Sequence, residues 1–239
     1  MRRENLARTS ASSGVRASAR LAAALVALSA VAWAQVASNT YETGTVELMV
    51  SGEARTYHTY AVEVPENAGQ GVENPRVRAE LARIAGTTQH TATWNVNDPV
   101  VVNGVVLSRP SVLFVTVHAR PTEDAGADLG QLNFEFAVSL DGLQQADPGT
   151  YQPSVKLYPE SFSVTDYYAL TDGNLTVTSV ELADDFTLHV NGTFQGTFSF
   201  QTRRGVIEHN PDDTIEVSGN FDVMQVVGTK PLSEMLAGD

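Results

Sequence analysis

The chain of 239 residues contains no cysteine. No disulfide can staple it, no thiolate can act as nucleophile or metal ligand, and no lipid can be attached through an N-terminal sulfur. Stability must therefore come from a core. A domain of about 200 residues buries roughly 70% of its unfolded surface, which suffices without staples. Positive charge is also scarce, with 15 Lys and Arg against 28 Asp and Glu and a formal net charge of −13. Residues 1–34 hold five arginines and one glutamate, so the rest of the chain keeps 10 basic and 27 acidic residues, a net of −17. That balance repels phosphate backbones and anionic lipid, which argues against nucleic acid or a membrane surface as partner.

Long apolar runs are missing too. The run at 21–31 follows Arg2, Arg3, Arg8, Arg16 and Arg20 and precedes Ala32-Trp33-Ala34. It falls short of the roughly 20 residues of a spanning helix. It has instead the charged, apolar and small-x-small parts of an export signal. The sequence predicts a cleaved signal peptide over 1–34, a mature chain starting at Gln35 without a membrane span, and a periplasmic or extracellular location. Arg2-Arg3 lies too far from the apolar run to make a good twin-arginine signal.

Period-two alternation is what the chain has in abundance. Over 186–201 the residues Phe186, Leu188, Val190, Gly192, Phe194, Gly196, Phe198 and Phe200 fall on one side. Thr187, His189, Asn191, Thr193, Gln195, Thr197, Ser199 and Gln201 fall on the other. Successive side chains of a strand point to opposite faces, so this predicts a long half-buried strand. Ile215, Val217, Gly219, Phe221 and Val223 predict its partner. The pattern recurs at 46–50 and 57–64 around Ser51-Gly52, and at 132–140. It also recurs at 175–182, where a change of parity between Val177 and Val180 predicts a bulge. Residues 111–119 are apolar on both faces and read as a central strand covered on both sides. Asn103-Gly104 predicts two short arms within 100–107. Residues 202–214 read as a connection with turns at 203–205 and 210–213. Gly192, Gly196 and Gly219 lie on apolar faces and are read as bends that let long strands serve two sheets.

One segment breaks the pattern. Asn74 has the character of an N-cap, Pro75 of a first helical residue, and Val77, Leu81 and Ile84 recur at helical spacing before Gly86. A helix is expected over 75–85, its apolar stripe docked on the sheet. The fold expected is all-β, an antiparallel β-sandwich or open barrel over 35–239, with one short helix in an insert at about 66–88.

Four segments occur in order: Pro148-Gly149-Thr150-Tyr151; Tyr167-Tyr168 before a strand; Gly192-Thr193-Phe194-Gln195-Gly196-Thr197-Phe198; and Gly219-Asn220-Phe221-Asp222-Val223. Over about 130–225 the chain resembles a group of bacterial exported β-domains, often lipoproteins, with P-G-T-Y, G-T-F-x-G-T-F and G-x-F-D-V motifs. The motifs are strand and turn grammar. This chain departs from the group in lacking the lipid-bearing Cys and in carrying the helix. The resemblance implies an extracytoplasmic β-sandwich; it implies no activity and lends no catalytic residue.

Candidate chemistry is sparse. His58, His90, His118, His189 and His209 show no metal-binding spacing, and no G-x-S-x-G elbow occurs. Loop carboxylates at Glu123, Asp124 and Asp128, at Asp184 and Asp185, and at Asp212 and Asp213 are hard oxygen ligands. They make calcium the one cofactor worth naming, although none matches the D-x-D-x-D-G pattern. Tyr57, Trp94, Tyr151, Tyr158, Tyr167 and Tyr168 are the aromatics suited to stacking on sugars; Tyr167 and Tyr168 must point to opposite faces. The stripe Thr193, Gln195, Thr197, Ser199 and Gln201 is a wet sheet face that could take sugar or another strand. The expected function is a non-catalytic exported binding or structural module of the bacterial cell envelope, with an envelope protein or glycan as partner. Two alternatives stand beside it. One is an exported carbohydrate-active enzyme using carboxylates at 121–128 and 210–213. The other is a self-assembling structural subunit that pairs edge strands.

Overall fold

Alternating apolar and polar residues produce thirteen strands and one helix in the computed structural model, which describes residues 39–96, 100–102, 105–108, 111–121, 130–147, 151–159, 165–183, 187–204 and 206–228. In order they are β1 (Asn39–Val50), β2 (Glu53–Glu63), α1 (Pro75–Ile84), β3 (Thr88–His90), β4 (Ala92–Val96), β5 (Val100–Val102), β6 (Val105–Ser108), β7 (Val112–Ala119), β8 (Gln131–Ser139), β9 (Gln144–Gln145), β10 (Ser154–Tyr158), β11 (Asp166–Leu182), β12 (Leu188–Arg204) and β13 (Val206–Gly228). The segment read as an export signal lies outside the described residues.

The molecule is all-β, and eleven of the strands form one sheet. The pairing runs β12-β11-β10-β8-β7-β4-β13-β1-β2-β3, with β9 on β8. Because β12 also pairs with β13, seven strands from β12 round to β13 close into a ring, and β1, β2 and β3 branch from it. Of the two arrangements the sequence allowed, this pairing path is that of a barrel. Every ladder is antiparallel except a two-residue parallel contact of Val227 and Gly228 with Thr93 and Trp94. β5 and β6 form a separate hairpin on either side of Asn103-Gly104.

Closure gives the ring one dry side. Phe134, Phe136, Phe194, Phe198, Phe221, Trp94, Tyr57 and Leu113 are fully buried. The Phe134 and Phe221 rings lie 4.9 Å apart, and Phe136 sits 6.0 Å from Phe221. A fully buried side chain of this size contributes about 1.5–3 kcal/mol. Gly192 and Gly219 make room for these rings, while a Cβ on Gly196 would meet the backbone of Asp172 and Gly173 on β11. Gly192 stands opposite Phe221 and Gly219 opposite Phe194 in the same ladder. A Cβ on Gly192 would lie 2.3 Å from Phe221 Cζ, and one on Gly219 2.8 Å from Phe194 Cζ. Each ring thus covers the bare backbone of the partner strand.

Three sequence expectations change. β7 is central, between β4 and β8, but only Leu113, Val115, Val117 and Ala119 are fully buried; Phe114, Thr116 and His118 are half-buried. Residues 202–214 are less a connection than the ends of β12 and β13, which stay paired out to Arg204 and Val206. The turn expected at 210–213 is a register shift within that ladder, where Thr214 pairs with Ser199 and Asn210 with Phe200. Finally, α1 docks on Val64, Ala68 and Val72 through Val77, Leu81 and Ile84, a small cluster beside the main core at the end of β2. Asn74 caps it, accepting from the backbone N–H of Arg76 at 3.0 Å and of Val77 at 3.4 Å. The expected bulge in β11 is present between Val177 and Ser179.

One seam of the ring is closed by a side chain. β10 pairs with β11 at only two positions, Lys156 with Ala169 and Leu157 with Tyr168. Beyond them Gln145 serves as a strand. Its Nε2 donates to Leu175 O at 3.0 Å, and its Oε1 accepts from Val177 N at 2.8 Å. A carboxamide has the same donor and acceptor as a peptide, so it satisfies both groups of the open edge.

Candidate functional site

The outward face of β11, β12, β13, β1 and β2 is mostly polar, with Met49 and Met224 exposed on it. Cross-strand register aligns its side chains in rows. Thr176, Thr193, Asn220, Glu47 and Thr56 form one row, and Asn174, Gln195, Ser218, Met49 and Ala54 the next. Asp172, Thr197 and Glu216 form a third. Strand spacing and pleat make this a grid of about 4.8 Å by about 6.8 Å. Two shallow grooves cross it. One of about 510 Å³ lies over Asp172, Gly173, Gln195, Thr197 and Glu216. The other, of about 560 Å³, lies over Glu47, Thr56, Thr193, Gln195 and Asn220. Short bonds tie the rows: Thr197 Oγ1 donates to Glu216 Oε1 at 2.8 Å and Asn220 Nδ2 to Glu47 Oε2 at 3.2 Å. Further along, His189 Nε2 meets Asp222 Oδ1 at 2.5 Å, and Asn191 donates to Ser179 Oγ at 3.1 Å.

The sequence-derived stripe falls on this face, with one exception. Thr193 and Gln195 are exposed and Thr197 half-exposed, whereas Ser199 is buried, its hydroxyl 2.8 Å from Thr171 Oγ1. Asp172 and Glu216 share one groove, on strands either side of β12, so their backbones stand about 10 Å apart. Asp172 escaped the sequence reading because the alternation there was read only over 175–182. It lies inside β11, just past a register shift between Leu170 and Asp172.

The aromatics fare differently. Trp94 and Tyr57 are 1% exposed and belong to the core; the close approach of Gly228 to the indole shows how tightly Trp94 is enclosed. They cannot stack on a ligand. Tyr167 is buried with its ring tilted against Tyr158 at 5.4 Å, while Tyr168 points the other way, half-buried against Phe200. Tyr151 packs edge-on to Phe114 at 5.1 Å and donates to Glu135 Oε2 at 3.4 Å. Burial, with Glu135 beside it, pushes the Tyr151 phenol up to about 12.

Of the calcium candidates, Glu123, Asp124 and Asp128 lie outside the described residues, as do Asp184 and Asp185. Asp212 and Asp213 sit at the register shift of β13. Asp213 Oδ1 accepts from Tyr168 O–H at 3.0 Å, and the Asp212 N–H donates to Asn210 Oδ1 at 3.2 Å. Among the described residues no group of three or more His, Asp or Glu is placed to hold a metal ion.

A second cluster lies on the outer face where β7 meets β2, β8 and β10. Arg120 follows β7 and forms a two-bond bridge with His58: His58 N–H donates to Arg120 O at 2.6 Å and Arg120 N–H to His58 O at 2.9 Å. Glu42 Oε1 approaches His58 Nδ1 to 2.8 Å. His118, two residues before Arg120, pairs with Asn133, and Asn133 with Lys156. Gln131 Nε2 donates to Asn133 Oδ1 at 2.5 Å and stands 3.4 Å from His118 Nδ1. Burial holds His118 below the usual imidazole range and lowers Arg120. The sequence reading placed His118 in a strand covered on both sides and Asn133 on the polar side of another; only cross-strand register brings them together. Comparison of the chain with protein-family models, curated proteins and solved structures returned no match.

Proposed function

We propose that the chain is a non-catalytic exported binding module of the bacterial cell envelope, and that its polar five-strand face contacts a neutral glycan. The observation that carries this reading is the grid itself. Rows of hydroxyl and carboxamide groups in register offer paired donors and acceptors to a ligand rich in hydroxyls, over two shallow grooves. Export rests on the signal-like residues 1–34. A catalytic use of Asp172 and Glu216 fits the geometry less well. A carboxylic acid serves as general acid when burial raises its pKa, and both of these side chains are exposed in an open groove. The test is co-sedimentation of residues 35–239 with insoluble envelope polysaccharide, with release of reducing ends assayed in the same tubes. The reading expects wild type in the pellet, Thr193→Lys/Gln195→Lys in the supernatant, and no reducing ends. Equal pelleting of both proteins would overturn the surface, and hydrolysis abolished by Glu216→Gln would establish the enzyme instead.

One observation favours a second reading, self-assembly. β1 covers β13 from Val217 onward and Ser51 N–H donates to Glu216 O at 2.9 Å, so among the described residues the edge from Val206 to Ile215 pairs with β12 alone. Against it stand Pro211, Asp212 and Asp213 on that stretch, since proline and charge protect an edge from strand addition. A mass that rises with concentration would support assembly over glycan binding.

A further inference from the structure

We propose that Arg120 and His118 form a carboxylate-binding site on the outer face of β7, distinct from the polar five-strand face. The case begins with the surroundings of His118. Gln131 Nε2 stands 3.4 Å from His118 Nδ1, and a hydrogen bond with Asn133 favours the protonated ring. Nε2 is buried and has no partner among the described residues. A buried ring nitrogen left without a partner costs about 1–3 kcal/mol.

Arg120 adds charge to the same face. Residues two apart on a strand point the same way, about 6.6 Å along it, so the guanidinium and the imidazole share one side of β7. Arg120 is half-buried, and among the described residues no carboxylate pairs with it. Nearby, Glu42 lies beside His58 Nδ1, and Glu135 accepts from Tyr151 while its charge also acts on His118. Lys156, one strand beyond Asn133, adds a second cation; its Nζ lies 5.7 Å from the Tyr167 ring centre. The cluster is thus donor-rich and locally positive within an acidic chain. A guanidinium fork matches the two oxygens of a carboxylate, and a single imidazole N–H adds a third bond. The net charge of −13 opposes a dianion more than a monoanion, which favours carboxylate over phosphate.

The experiment is a thermal melt of residues 35–239 in acetate, glucuronate or inorganic phosphate, each against chloride at equal ionic strength, since screening alone shifts melting. Acetate and glucuronate at a hundred times their Kd should raise Tm by about 5 °C or more, and phosphate should do less. A larger gain with glucuronate than with acetate would identify a sugar acid; equal gains would identify the carboxylate group alone as what is recognised. Both results support the site. Arg120→Gln should abolish the response while leaving the anion-free Tm equal to or above wild type, because a half-buried charge with no described carboxylate beside it has been removed. His118→Phe should weaken the response with Arg120 in place. A flat response to every anion, or one led by phosphate, would overturn the proposal. So would a sharp drop in Tm for Arg120→Gln, which would mean that the guanidinium already has a partner. The nearest acidic residues in sequence are Glu123, Asp124 and Asp128. If Glu123→Gln/Asp124→Asn/Asp128→Asn created a response that wild type lacks, an internal carboxylate would be the occupant and the proposal would fail.

Discussion

At the scale of single residues, the decisive positions are those where another strand limits what a side chain may be. A Cβ at Gly192 would meet Thr176 O at 2.4 Å as well as the Phe221 ring. A backbone oxygen held in a ladder cannot step aside, so Gly192→Ala should cost about 1–3 kcal/mol, the range for overpacking. For a chain of this size that lowers Tm by roughly 2–10 °C, readable in a calorimetric scan; an unchanged Tm would show that the ladder yields. The glycines were legible in the sequence as exceptions on an apolar face, but the rings above them were not, because register across strands decides which ring meets which glycine. The histidines give a second prediction. Burial lowers both His90 and His118 below the ordinary imidazole value of 6.5. The unfolded chain then binds more protons than the folded one as pH falls below 6.5, and stability drops there. Chemical denaturation between pH 7.5 and 5 should show this fall, and His118→Gln should reduce it. A flat profile would mean that the rings protonate as freely in the fold as in the unfolded chain.

At the scale of elements, local signals were read well and long-range ones were not. The helix is where Asn74-Pro75 and the Val77, Leu81, Ile84 spacing put it, because caps and helical periodicity act within a few residues. The β11 bulge also followed from parity within one strand. The start of β11 at Asp166 was missed because Thr171-Asp172-Gly173 reads as a break, and pairing along β12 overrides that local preference. The same override keeps β12 and β13 paired through 202–214. Two substitutions test these elements. Gln145→Ala leaves Leu175 O and Val177 N–H without partners and should cost about 2 kcal/mol. Gln145→Glu keeps the acceptor for Val177 but loses the donor to Leu175 and should fall between. Equal stability of all three proteins in urea would mean that the seam is held elsewhere. Asn74→Ala should cost about 1 kcal/mol. Its effect should appear first as faster amide exchange in α1, because the helix packs in its own cluster beside the main core.

At the scale of the whole molecule, closure explains the division of labour. A sheet that curls into a ring buries one face, with Phe134, Phe136, Phe194 and Phe221 at its centre, and leaves the five-strand part of the other to water. The all-β class was legible because alternation recurs along the chain. Which wet face could bind was not, since only closure and register gather Asp172, Thr197 and Glu216 over one groove or bring Arg120 beside His58. Of the acidic loops singled out in the sequence, the one that is described has Asp213 accepting from Tyr168.

The most direct measurement is the melting temperature of residues 35–239 against a panel of neutral oligosaccharides, calcium and a chelator, run beside Thr193→Lys/Gln195→Lys. Glycan binding by the five-strand face predicts a rise of several degrees with at least one sugar in wild type, none in the double variant, and none with calcium in either. A calcium-dependent rise reversed by chelator, or a sugar response equal in both proteins, would contradict it.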